Sequence, residues 1–237
     1  MIPPPDMHLF KIGGVPLQAK ATVVPGIIGM FVLGAITAHS IRPKWPRGMK
    51  ALLALTYTLS LVQAELVHNL GHLASGRRVG SPLHALVWNW GIMQNQYHDH
   101  RVLPRQHVGR AVGGPIASAT SVTVWTLIYW AFGWIPGLRA FLEIALLGQG
   151  TLLSLAVLPT PMFDSGSILK WAVAGATGEE SLGVEAVQTI GTITIGALGL
   201  AAFFFLVNRK FKLALAAMVA GCVAAADLYG LRGQLPS

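Results

Sequence analysis

Glu65-Leu66-Val67-His68-Asn69-Leu70-Gly71-His72 places two histidines four residues apart inside the apolar run Ala51 to Ser75, which is long enough to cross a bilayer. One helical turn rises about 5.4 Å, so both imidazoles leave one face of a helix and can share one metal ion. Histidine is costly in a lipid-spanning helix, and two on one face ask for a function.

Around this stretch the chain reads as membrane protein. Of its 237 residues 53% are hydrophobic and only 11% charged, far from soluble averages. The net charge of +8 lies mostly in short clusters between apolar runs (Arg42, Lys44, Arg47, Lys50; Arg77, Arg78; Arg209, Lys210, Lys212), where lipid headgroups rather than nucleic acid are the expected partner. One cysteine, Cys222, excludes an intrachain disulfide and a cysteine-based zinc site.

Six apolar runs predict an all-α polytopic membrane protein, with transmembrane helices near 21–41, 51–75, 111–135, 140–158, 186–207 and 213–231. Together, residues 1–237 read as a single membrane-embedded domain. Residues 1–20, with Pro3-Pro4-Pro5 and Gly13-Gly14, read as an irregular tail. After the second span, residues 76–110 change character, and the mix of β-formers and tryptophans from Pro82 to Tyr97 predicts one or two short strands at the membrane surface. Between the fourth and fifth spans, Pro159-Thr160-Pro161 ends a helix and leaves Asp164 in irregular backbone, Ile168 to Ala176 forms a short helix, and Gly178 to Glu185 is a polar loop. Asp227, near the end of the last span, reads as headgroup-exposed. Gln63 and Gln149 read as interhelical hydrogen-bonding groups, and Trp88, Trp90, Trp125 and Trp134 as interface anchors or packing. His98, Asp99, His100 and His107 read as a solvated loop, with a second metal site as the sharper alternative. Lys and Arg divide almost evenly between the two sides, so charge does not set the orientation.

A catalytic zinc site takes three protein ligands and leaves one position for water. His68 and His72 supply two. Counting crossings puts the C-terminal ends of spans two and four on one side, which makes Asp164 the best third ligand. These segments resemble the site-2 protease family of intramembrane zinc metalloproteases, which pairs H-E-x-x-H in one span with G-P-x-x-N and then N-x-x-P-x-P-x-x-D-G in later ones. His68, His72, Gly114-Pro115, Pro159, Pro161, Asp164 and Gly166 fall in register and in order. The resemblance implies Zn²⁺ as cofactor, a membrane-spanning protein or peptide as substrate, and a multi-pass location in the plasma (inner) membrane with the site near the cytosolic face. It says nothing of the oligomeric state.

Four positions depart from the family pattern. Asn69 stands where the family has its general-base glutamate, Ser118 and Ala156 replace its two substrate-positioning asparagines, and Ser165 replaces a glycine. An amide has no basic lone pair near neutral pH, so Asn69 cannot take a proton from water. Glu65, one turn before His68, offers three roles: substitute base, fourth ligand, or hydrogen-bond partner of a histidine N–H. Two functions follow: an intramembrane metalloprotease weakened by Asn69, or a non-catalytic relative that binds membrane segments or metal. A membrane di-iron oxygenase is set aside, because such sites need several histidine boxes and no histidine follows His107.

Overall fold

The computed structural model describes residues 7–97, 99 and 101–230. The chain divides into two compact units, Met1–Val102 with Gly113–Ser154, and Leu103–Val112 with Leu155–Ser237.

The first unit opens with a hairpin of β1 (Met7–Ile12) and β2 (Val15–Ala19), where an irregular tail is expected from composition. Gly13 and Gly14 both take positive φ, 54° and 82°, which suits the two-residue turns that match strand twist. Along β2, Val15, Leu17 and Ala19 are buried and alternate with half-buried Pro16 and Gln18. Parallel pairing of β2 with β3 (Leu83–Asn89), itself antiparallel to β4 (Ile92–Tyr97), completes a sheet of order β1-β2-β3-β4. Where one or two short strands are expected after the second span, the chain forms two, β3 and β4. Leu17, Leu86 and Met93 bury against Leu73 of the long helix α2 (Arg47–Arg78).

Helix α1 (Val23–Ile41) packs on α2, with Ala38, Leu53, Tyr57 and Leu61 in a core that α4 (Pro136–Ala156) closes through Ala140 and Ile144. A polar layer crosses this apolar packing. The Gln149 amide donates to the Ser60 carbonyl at 3.0 Å and also to Gln63 Oε1, while Ser121 Oγ donates to Gln149 Oε1 at 2.8 Å. Trp125 Nε1 donates to Gln63 Oε1 at 3.2 Å, so α3 (Pro104–Phe132) joins the same layer. Such bonds fix helix rotation where apolar contacts alone would allow slippage.

The second unit holds α5 (Asp164–Thr177), α6 (Glu180–Val207) and α7 (Phe211–Gly230), with the first turns of α3. Here the element bounds differ from the expected ones. Asp164 is not in irregular backbone but begins α5, where an acidic residue in the first turn suits the helix dipole. The expected polar loop shrinks to a left-handed Gly178 cap and Glu179, because Glu180 begins α6 and pairs with Lys170 at 2.6 Å. α3 likewise starts at Pro104, not 111; proline is favoured at a first helical position. His107 therefore lies on a helix rather than in a solvated loop. It is buried, stacked on Trp171 at 3.7 Å, and accepts Arg110 Nη2–H at 2.6 Å. His98 and His100 lie outside the described residues.

Among the described residues, α1, α2, α3, α4 and α6 are long and apolar enough to cross a membrane, and α7 carries the shorter apolar stretch Ala216–Tyr229. Exposed apolar side chains such as Ile28, Leu59, Ile116, Leu127 and Leu200 cover their outer faces, the pattern of helices solvated by lipid.

Candidate metal centre

The C-terminal half of α2 carries His68, Asn69 and His72, all buried. Its approach to α3 is set by glycine. A Cβ on Gly71 would overlap the Gly113 carbonyl, and one on Gly113 would overlap both Ser75 Oγ and the Gly71 carbonyl. Backbone therefore meets backbone at this point, the use small residues serve between membrane helices. The next residue, Gly114, lies over the imidazoles: a Cβ there would overlap His72 Nε2 and sit 2.6 Å from His68 Nε2.

His68 Nε2 and His72 Nε2 stand 3.0 Å apart, with ring centroids at 4.7 Å and planes at 77°. The other nitrogen of His68, Nδ1, is 2.9 Å from Ser118 Oγ. With Nδ1–H donated to that hydroxyl, His68 keeps its Nε2 lone pair for a cation, the arrangement by which metal-binding histidines are oriented. With Nδ1–H of His68 on Ser118, its Nε2 lone pair accepts Nε2–H of one His72 tautomer at 3.0 Å; with His72 in the other tautomer, both Nε2 lone pairs are presented to a single divalent ion. Ser118→Ala should lower metal affinity roughly 10–100-fold, read by chelator competition; unchanged affinity would mean the hydroxyl does not orient His68.

Asn69 and Glu65 form a second pair on the same helix. Asn69 Nδ2 donates to the Glu65 carbonyl at 2.7 Å and lies 3.4 Å from Glu65 Oε2, which also accepts the Met93 N–H of β4 at 3.3 Å. Asn69 Oδ1 is buried with no hydrogen-bond partner among the described residues. A buried orphan acceptor costs about 1–3 kcal/mol and calls for a specific explanation. Thus Glu65 ties α2 to an edge strand. Ser118 takes a place sequence reasoning missed, beside His68 Nδ1.

The second unit places the proline segment. Gly166 packs under the Thr160 backbone so closely that a Cβ would overlap the Thr160 carbonyl, which explains a glycine there. Ser165 Oγ donates to the Ala156 carbonyl at 3.0 Å, binding the start of α5 to the last residue of α4. Asp164 is half-buried at the head of α5. Asp227 is not headgroup-exposed: it is 5% exposed, and its Oδ2 accepts the Met162 N–H at 3.0 Å, so α7 holds the proline segment in place. A lone acid in an alanine-rich apolar helix was the available signal.

No protein-family model matches the chain, and no curated protein sequence matches it. Among solved structures, the fold is similar to that of "Site-2 Protease from Methanocaldococcus jannaschii", with a TM-score of 0.54 and 16% identity over 94% of each chain. At that identity the likeness shows the fold. With the apolar helices, it describes a multi-pass membrane protein of site-2 protease architecture.

Proposed function

We propose that this protein is an intramembrane zinc metalloprotease of the site-2 type, acting on membrane-spanning protein segments, with its hydrolytic step slowed by Asn69. The observation that carries the reading is the His68–His72 pair, whose Nε2 atoms converge at 3.0 Å beneath Gly114. Asp164 is the third ligand in this reading, supported by the order Pro159, Pro161, Asp164, Gly166 that follows the histidine helix. Bound zinc supplies Lewis acidity toward water and a peptide carbonyl.

The chain's own residues then divide the remaining work. His68 and His72 hold the ion and Ser118 keeps the His68 ring in orientation. Asn69 offers Oδ1 as a hydrogen-bond acceptor but takes no proton, so the base's role is left to Glu65 or to solvent. Ser118 is engaged by His68, and Ala156 has no side-chain amide, so both substrate-gripping positions act weakly on a peptide backbone. The site lies near the cytosolic face of the plasma (inner) membrane in this reading.

The protein reconstituted in vesicles with single-span reporter segments should cleave slowly, and a zinc chelator should abolish the cleavage. A zinc-loaded protein that holds such segments without cutting any of them would support the second reading, a non-catalytic binder. What favours that alternative is the Asn69 amide itself, committed to the Glu65 carbonyl.

A further inference from the structure

At the opposite end of α2 from the histidines, α1 and α2 flank an open groove of about 530 Å³ lined by Phe31, Ala35, His39, Arg47, Lys50 and Ala51. We infer that this groove is a binding site for an anionic phospholipid, with the headgroup phosphate at Arg47 and Lys50 and an acyl chain along Phe31 and Ala35.

The two helices give the groove two chemically distinct ends. Phe31, Ala35 and His39 follow one another at four-residue spacing, so they form one stripe of α1, and Arg47, Lys50 and Ala51 form the facing stripe of α2. Phe31 lies about 12 Å along the helix from His39, deep enough to take the first part of an acyl chain. A free small anion has no use for that apolar length; an amphiphile fills it. The volume falls within the range of ordinary small-molecule sites.

The charges at the mouth are uncompensated. Glu143 is shared by Arg42 at 2.6 Å and Arg139 at 2.9 Å, and among the described residues no carboxylate pairs with Arg47 or Lys50. Lys50 Nζ instead donates to His39 Nδ1 at 3.3 Å and to the Pro43 carbonyl at 3.1 Å, which aims the ammonium at the mouth without neutralising it. Both cations also occupy the first turn of α2, where no acidic side chain is present and the helix dipole opposes positive charge. A phosphate there would relieve the repulsion of all three.

The test uses the full-length chain in phosphatidylcholine nanodiscs doped with a photoreactive phosphatidylglycerol, with labelled peptides mapped by mass spectrometry. Label should concentrate in residues 31–51. Arg47→Gln/Lys50→Gln should reduce it on the order of 10-fold, from the loss of two cations near an anionic headgroup. Ala35→Trp, which fills the apolar floor and leaves every charge in place, should reduce it comparably, and this second variant keeps the test decisive if the first fails to fold. Equal labelling by a photoreactive phosphatidylcholine, competition by millimolar inorganic phosphate, or indifference to both variants in folded protein would overturn the assignment.

Discussion

Replacing His68 and His72 together with alanine should take bound zinc from near one ion per purified chain to background, with helix content and oligomer profile unchanged. The expectation rests on two features of α2. The two Nε2 atoms stand 3.0 Å apart because His68 and His72 are four residues apart on one helix, and Gly71 and Gly113 bring the α3 backbone against that face with Gly114 packed over the rings. The rotation of the helix is fixed elsewhere, by the Gln149, Ser60, Gln63 and Ser121 bonds, so truncating two imidazoles should remove the donors without releasing the scaffold. A catalytic zinc site has three protein ligands, and one remaining carboxylate holds the ion no better than a surface acid does. Zinc retained by the double variant would move the site elsewhere. Folded wild-type protein that takes up no zinc would remove the protease reading and leave the non-catalytic one.

How far the residues alone foretold this arrangement depended on whether the signal was local. The histidine helix was legible because an uninterrupted apolar run carried an i, i+4 polar pair; expected at 51–75, it spans Arg47–Arg78. Strands β3 and β4 were legible from β-formers around the Trp90-Gly91 turn. The N-terminal hairpin was not, because β2 is too short to stand out and gains its place by pairing with β3, which is distant in sequence. Polar residues misled the reading of 104–110: Arg105, His107 and Arg110 resemble a surface loop, yet His107 and Arg110 are buried within the second unit, where Arg110 Nη2 donates to His107 Nδ1. Asp227 was misplaced because its position near the end of the last span outweighed the signal of a lone acid in an apolar helix; its carboxylate turns inward and accepts the Met162 N–H.

The pairing of Glu65 with Asn69 decides what restoring a base should do. Asn69→Glu supplies a carboxylate at the family's catalytic position, and general-base catalysis is worth about 10² to 10⁴ in rate. The single substitution also has a local cost. Asn69 Nδ2 now donates to the Glu65 carbonyl and lies 3.4 Å from Glu65 Oε2, so a glutamate at 69 would lose a donor and set two buried carboxylates against each other. Glu65→Gln removes that conflict: its oxygen still accepts the Met93 N–H, and a neutral amide replaces the second buried carboxylate. The double variant Glu65→Gln/Asn69→Glu should therefore cleave single-span reporters faster than wild type by on the order of 10² or more, with Asn69→Glu alone giving a smaller gain. If Glu65 is instead the working base of the wild-type protein, Glu65→Gln alone should abolish its slow cleavage. A zinc-loaded double variant that cuts nothing across the reporter set would leave position 69 without a catalytic role, and the segment-binding function would account for the site.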